Sequence, residues 1–249
     1  MPAQLSVNVN KVATLRNSRG GRVPDVLQAV NVCLDAGAPG ITVHHRADER
    51  HIRRDDVFAI AALLRRRASA GTARPEFNIE GDPRPDFIET VLAVRPDQCT
   101  LVPVLPGEIT SQAGWPPGAD RDLLGAAIGR LRAARVRVSV FIDPTPEAVA
   151  WAHELGADRV ELYTEPYARA FEAGPAQGEA SFRVYAEAAV RAHDAGLGVN
   201  AGHDLDLHNL PLFSTLPHLD EVSIGHALIS HALWVGLDQA VRDFMKALG

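Results

Sequence analysis

Phe77-Asn78-Ile79-Glu80 alternates apolar and polar side chains, and five other short runs of the chain follow the same rule. Those runs cover residues 6–10, 41–44, 159–162, 199–202 and 222–225. Successive residues of a β-strand point to opposite faces, so each run predicts a strand with one apolar and one polar face. If the apolar faces pack against helices, the polar side chains converge on one enclosed interior. They belong to Asn8, Asn10, His44, Glu80, Glu161, Asn200 and Ser223.

Amphipathic helical patterns separate these runs along the whole chain. They cover residues 25–36, 55–70, 85–94, 120–134, 144–155, 180–195 and 227–248, and two further strands are predicted at 98–102 and 136–142. Eight alternating strands and helices favour a (β/α)8 TIM barrel, with an open doubly wound sheet as the competing fold. The polar alternation favours the barrel, because strands of an open parallel sheet are covered on both faces and are usually apolar throughout.

Length and composition predict one large domain over residues 1–249, since 46% of the residues are hydrophobic and 22% are charged. No run is long enough to span a membrane and the N-terminus lacks a secretory pattern, so we expect a cytoplasmic protein without a membrane partner. The net charge of -6 argues against a general nucleic-acid binder. The longest connections, at 104–119 and 164–179, are expected to form a lid, an additional helix or plain loops.

A candidate anion-binding loop follows the first strand at residues 13–21, where arginines, hydroxyls and glycines occur together. Arg46, Arg50 and His51 in the next loop add donors near the same mouth. The alternative is that these arginines form surface salt bridges with neighbouring acidic residues. A second anion site is predicted at 200–204 and 223–226, the usual phosphate positions of a barrel, with a helix beginning at His226.

Four titratable side chains on the predicted strands or at their ends are candidates for proton transfer. His44 and His203 lie at predicted strand ends, whereas Glu80 and Glu161 would place carboxylates inside the barrel, which is costly unless they are paired or used. The alternative for Glu80 and Glu161 is that they form structural salt bridges and take no part in proton transfer. His44 and His45 do not predict a metal site, because adjacent strand residues point in opposite directions.

Several motifs together resemble the pyridoxine 5'-phosphate synthase family over nearly the whole chain. The resemblance rests on residues 8–17, 40–46, 50–52, 76–80, 199–203 and 224–226. It implies a transferase that condenses 1-deoxy-D-xylulose 5-phosphate with 3-amino-2-oxopropyl phosphate, releasing inorganic phosphate and water to form the pyridine ring. It implies no metal or redox cofactor, phosphorylated small molecules as the partners, and a homo-oligomer in the form of a ring-like octamer.

The resemblance also implies roles for individual residues. His44 and Glu80 would accept protons, His203 would donate one, and Glu161 would stabilise charged intermediates. The deoxyxylulose phosphate would be bound by Asn10, Lys11, Arg46, His51 and Thr110. The amino ketone phosphate would be bound by Asn8, Arg19, Asp204, Gly225 and His226.

The chain departs from the commoner family pattern at two places. That pattern has Asp-His where this chain has Asn10-Lys11, and glycine where it has Asp204. An amide cannot accept a proton as a carboxylate does, which affects how the sugar hydroxyl is handled. Two alternatives stay open at this point: another phosphosugar isomerase or lyase, and a noncatalytic phosphometabolite-binding barrel. A Schiff-base aldolase would need a buried strand lysine, and the chain has only Lys11 and Lys246.

Overall fold

Eight parallel strands close into a barrel in a computed structural model that describes residues 3–69, 74–104 and 111–249. Each strand pairs with its neighbours along the chain, and the last strand pairs with the first. The strands are β1 Gln4–Asn8, β2 Gly40–His44, β3 Glu76–Gly81, β4 Gln98–Leu101, β5 Arg137–Ile142, β6 Arg159–Tyr163, β7 Gly198–Gly202 and β8 Leu219–Ile224. The predicted (β/α)8 barrel is therefore confirmed.

Helices surround the barrel. In the described ranges they are α1 Asn10–Asn17, α2 Val26–Asp35, α3 Arg54–Ser69, α4 Pro85–Val94, α5 Arg121–Ala133, α6 Pro146–Glu154, α7 Glu165–Ala173, α8 Pro175–Asp194, α9 Leu210–Phe213, α10 His226–Val235 and α11 Leu237–Leu248. Among these residues no helix combines the length and the apolar character needed to cross a membrane.

The alternation of side chains along the strands has the predicted effect. Val7, Ile41 and Ile79 are fully buried in the main apolar core between strands and helices. The intervening residues point into the barrel, where Thr42 lies 2.7 Å from the Ser6 hydroxyl and accepts a longer hydrogen bond from Asn78. The barrel interior is therefore a hydrogen-bonded polar layer, while the apolar core lies outside the strands.

The segment after the first strand is a helix, so the predicted anion-binding loop at 13–21 is wrong up to Asn17. Asn10 is accordingly the first residue of α1 rather than the end of a strand. Val12 and Ala13 are buried on the inner side of this helix. Arg16 binds the Asp56 carboxylate through both guanidinium NH groups, at 2.6 and 2.8 Å, so it is held by an ion pair instead of facing an anion site.

The two long connections differ in structure. Residues 164–179 contain the additional helix α7 and the start of α8, which begins five residues before the predicted 180. Of the other connection, 105–110 lie outside the described residues, and 111–119 form no helix. The single helix predicted at 227–248 is two helices, because Gly236 takes a left-handed φ of 85° between them.

Gly114 lies against the end of β5, and Gly114→Ala should destabilise the fold. An added Cβ would lie 2.3 Å from backbone atoms of Ile142 and 2.4 Å from the Asp143 nitrogen, which cannot move away as a side chain could. The segment is fixed there because Trp115 N donates to Phe141 O at 2.8 Å. We expect the free energy of unfolding, measured by urea denaturation, to fall by about 1–3 kcal/mol.

The matched control is Gly129→Ala, in α5. An added Cβ at this position meets nothing within 4 Å. Alanine in a helix interior is more favourable than glycine by roughly 1 kcal/mol, so this variant should be more stable than the parent. Equal effects of the two substitutions would contradict the proposed backbone contact at Gly114.

Candidate active site

A cavity of about 340 Å³ opens at the carboxyl ends of the barrel strands. This is the face on which TIM-barrel enzymes carry their active sites. The described residues that line it are Asn8, Asn10, Lys11, His44, Arg46, His51, Glu80, Val102, Ser111, Phe141, Glu161, His203, Asp204, Ser223, Gly225 and His226.

Most of the residues singled out from the sequence meet in this cavity. The four candidates for proton transfer line it together, although they come from four different strands or strand ends. Among the described residues to which the resemblance gives a role, Arg19 is the exception, because it is exposed beyond the end of α1 and does not line the cavity. Arg50 and Asn200, which were singled out from the sequence for other reasons, do not line it either. Thr110 lies outside the described residues.

Glu80 lies at the centre of the polar side of the cavity. Its carboxylate accepts long hydrogen bonds of 3.4 Å from Asn8 Nδ2 and Ser223 Oγ, and His44 Nδ1 lies 4.0 Å from Oε2. Burial raises the pKa of Glu80 to about 7, and the negative charge of Glu221 deeper in the barrel acts in the same direction. A carboxyl group with this pKa exchanges protons readily at neutral pH.

His44 is buried beside Glu80 and carries a neutral imidazole at neutral pH. Burial lowers its pKa well below the ordinary value, and the positive charge of Arg46 lowers it further. Its backbone N donates to Asn10 Oδ1 at 2.9 Å, which fixes the end of β2 against α1. The Nε2 atom is buried and has no hydrogen-bond partner among the described residues. This nitrogen can therefore bind a substrate atom.

Glu161 approaches the cavity from β6. Burial raises the pKa of its carboxyl group well above the ordinary value, and the neighbouring charge of Glu80 adds to this effect. Its Oε2 is buried without a hydrogen-bond partner in the described part of the chain. A neutral carboxylic acid can donate a hydrogen bond, whereas an ionised one only accepts.

Positive and neutral donors lie together at the β1–β2 side of the cavity. Lys11 is exposed on α1, while Arg46 is buried and lies 3.4 Å from the Asp48 carboxylate. His51 Nδ1 accepts a hydrogen bond of 2.9 Å from the backbone N of Ile52, which leaves the ring proton on Nε2. Burial, aided by Arg46, lowers the pKa of His51 to about 4, so this ring is a neutral donor. Arg50, by contrast, pairs with Asp48 at 2.7 Å.

The β7–β8 side presents the start of α10. The helix begins at His226, as predicted, so its first backbone N–H groups carry the positive end of the helix dipole toward the cavity. Gly225 precedes it and lies close to Asn8, so that an added Cβ would lie 3.1 Å from atoms of Asn8. The start of α10 suits a bound anion.

His203 is held by its neighbours in a backbone conformation that is rare for non-glycine residues. Both His203 and Asp204 have left-handed φ values, of 88° and 60°. The Thr164 hydroxyl donates to the carbonyl oxygens of Gly202 and His203, which fixes this turn. His203 Nδ1 lies 2.5 Å from Asp204 Oδ2, and this bond lowers the pKa of the Asp204 carboxyl.

Comparison with known proteins assigns the chain to a family. A model of the family described as "Pyridoxal phosphate biosynthesis protein PdxJ" matches residues 5–249. The chain belongs to the PdxJ family.

The curated relatives of this PdxJ member are similar over their full length. A protein of Bacteroides fragilis strain YCH46 named "Pyridoxine 5'-phosphate synthase" is 51% identical over 98% of this chain and 99% of its own. One of Porphyromonas gingivalis with the same name is 49% identical over 98% of both chains. Among solved structures, a thiamine phosphate pyrophosphorylase from Pyrococcus furiosus has a TM-score of 0.62 at 15% identity, covering 98% of this chain and 95% of that one. That likeness concerns the fold alone.

Sequence reasoning missed several residues of this PdxJ site. Val102, Ser111 and Phe141 line the cavity, and Glu221 is buried below it, where Gln98 and Asn200 donate to its carboxylate at 3.4 and 3.3 Å. Strand parity was a usable signal for Glu221, because it shares the inward face of β8 with Ser223. Burial raises the pKa of Glu221 well above its ordinary value, with the Glu76 carboxylate as the next cause.

Within the described ranges, the PdxJ chain has no group of three or more His, Cys, Asp or Glu side chains arranged for a metal ion. The two cysteines, Cys33 and Cys99, are free and buried in the main apolar core.

Proposed function

We propose that this chain condenses 1-deoxy-D-xylulose 5-phosphate with 3-amino-2-oxopropyl phosphate to form pyridoxine 5'-phosphate, inorganic phosphate and water. The chain is an enzyme of vitamin B6 biosynthesis, as its family is. One observation supports the mechanism: a single cavity has candidate anion donors on two sides, with carboxyl and imidazole side chains between them. Two phosphorylated substrates and repeated proton transfers need this combination.

Glu80 and His44 are the proposed proton acceptors. Ring closure requires removal of protons from carbon and nitrogen atoms of the joined substrates. A carboxylate with a pKa of about 7 is ionised in part at neutral pH and is still basic enough to remove such a proton. The lowered pKa of His44 supports its role, because the ring is neutral and can take up a proton, and its buried Nε2 has no hydrogen-bond partner among the described residues.

His203 is the proposed proton donor. Its Nδ1 is engaged by the Asp204 carboxylate, an arrangement that orients the ring at the edge of the cavity. Loss of phosphate and of hydroxyl groups requires a proton at the departing oxygen. Glu161 is proposed to stabilise charged intermediates from the opposite side, where its Oε2 is buried and unpaired among the described residues.

The proposed phosphate contacts follow the two sides of the cavity. Asn10, Lys11, Arg46 and His51, with Thr110, would bind the deoxyxylulose phosphate. Asn8, Gly225 and His226, with Arg19 and Asp204, would bind the amino ketone phosphate. Arg19 is exposed beyond the end of α1, and the Asp204 carboxylate is the partner of His203.

Asn10 shows how one departure from the family pattern is accommodated. Its amide oxygen accepts the backbone N–H of His44, a bond that a carboxylate at this position could also accept. The positioning of His44 therefore does not depend on a charge at residue 10.

The test is an incubation of the purified protein with both phosphorylated substrates. We expect inorganic phosphate and a pyridine chromophore to appear together in equal amounts, and neither to appear with one substrate alone. Binding of both substrates without any pyridine product would overturn the proposal in favour of a noncatalytic binding barrel.

We also propose that the chain acts in the cytoplasm as a homo-oligomer, an octamer by family resemblance. Leu233 and Trp234 on α10 support an interface, since they are 71% and 85% exposed although both are large and apolar. Light scattering should give a mass several times 26.8 kDa, and a monomeric mass would contradict this assembly.

A further inference from the structure

The cavity has one apolar side. Val102, Phe141 and Tyr163 form a small buried cluster that is separate from the main core. They extend from three neighbouring strands, β4, β5 and β6, at their carboxyl ends. We call these three residues the apolar wall. Val102 and Phe141 face the cavity, and every other described lining residue is polar, charged or glycine.

The apolar wall is held rigidly by the backbone around it. Val102 N donates to Gly81 O at 2.9 Å, and the Tyr185 hydroxyl donates to Tyr163 O at 2.6 Å. The rings of Phe141 and Tyr163 have centroids 5.5 Å apart, which is an ordinary aromatic packing distance. The wall is therefore present before any substrate binds.

Such a wall is selective, because the two side chains that face the cavity, Val102 and Phe141, offer no hydrogen-bond partner. A hydroxyl group placed against Val102 and Phe141 would lose its water without replacement. The two proposed substrates carry one apolar group between them, the methyl group of the deoxyketose. All their other carbons bear a carbonyl, hydroxyl, amine or phosphate ester.

We propose that the apolar wall receives the methyl group of the deoxyketose and makes the enzyme discriminate against ketose phosphates that carry a hydroxyl at that carbon. This inference rests on the proposed function. Its quantitative expectation is a kcat/KM about ten- to 100-fold higher for 1-deoxy-D-xylulose 5-phosphate than for D-xylulose 5-phosphate, which differs by this one hydroxyl.

Val102→Thr tests the wall directly, because threonine has nearly the shape of valine and adds one hydroxyl. It should lower kcat/KM for the deoxyketose and raise it for the hydroxylated ketose. The ratio of the two kcat/KM values should therefore fall about tenfold. Val140→Thr is the matched control, since Val140 is equally buried but faces the helices on the neighbouring strand. It should leave the ratio unchanged.

A second variant covers the case in which Val102→Thr folds poorly. Val102→Ala removes two methyl groups without adding a hydroxyl, so it should weaken use of the deoxyketose about tenfold without improving use of the hydroxylated ketose. The inference is overturned if the parent enzyme uses both ketoses equally well, or if both Val102 variants keep the parental ratio. Failure of the parent enzyme to form any pyridine would instead overturn the proposed function.

Discussion

Glu80→Gln is expected to lower kcat for ring formation by about 10²- to 10⁴-fold while both substrates still bind. Glutamine keeps the shape of the side chain and can still contact Asn8 and Ser223, which now donate to the Glu80 carboxylate. It cannot take up a proton, so the steps that need a base lose their acceptor. The measurement is kcat and KM from the release of inorganic phosphate.

Glu76→Gln is the matched control for this loss. Glu76 lies on the same strand and the same inward face, but at the other end of the barrel, where Arg137 pairs with it. Its replacement should change kcat only a few-fold. If Glu80→Gln keeps more than about a tenth of the parental kcat, Glu80 is not the proton acceptor.

Glu80→Gln should also stabilise the folded protein at pH 8. Burial raises the pKa of Glu80 from 4.5 to about 7, so the folded state binds this proton more tightly than the unfolded chain does. The stability that the proton provides is fully present below pH 4.5 and is lost as the pH rises through 7. Glu80→Gln should therefore gain up to about 3 kcal/mol in the free energy of unfolding at pH 8 relative to pH 4. Urea denaturation at both pH values measures this difference, and an equal effect at both would contradict an elevated pKa.

His203→Asn is expected to reduce kcat by a similar factor, about 10²- to 10⁴-fold, with little change in folding. Asparagine tolerates the left-handed φ of 88° at this position better than most residues do. Its amide can still bond to Asp204 but cannot donate a proton to a leaving group. Single-turnover measurements with both substrates bound should show that the chemical step, rather than binding, is slowed.

His208→Asn is the control, because His208 is exposed a few residues further along the same loop and does not line the cavity. This variant should retain the parental kcat. A His203→Asn enzyme that matches it would remove His203 from the role of proton donor.

The polar interior could be predicted from sequence because strand parity is a local property. Glu80 and Glu161 each alternate with apolar neighbours, and this alone decides which way their side chains point in a barrel. Predicted strand ends differ from the observed ones by only a few residues, so the residues at the mouth were found. The start of a helix at His226 was also predicted, because the helical pattern begins directly after the last strand and Gly225.

The remaining features depend on partners that are distant in the sequence. Arg16 binds Asp56, forty residues away, and this pairing helps to fix α1 where a loop was predicted. Glu221 is bonded to Gln98 and Asn200 from other strands. Phe141 lies on the inward face of β5, as Ser139 does, but it forms an apolar side of the cavity only together with Val102 from the end of β4. Local patterns contain no information about such pairings.

The most direct test of the account is a pH titration of the Glu80 carboxyl group. NMR of protein with ¹³C-labelled glutamate would follow it, with Glu80→Gln identifying its resonance. Because burial in the barrel raises the pKa of Glu80, we expect its carboxyl group to titrate near pH 7. A Glu80 resonance that titrates near 4.5, as in an exposed glutamate, would contradict the account.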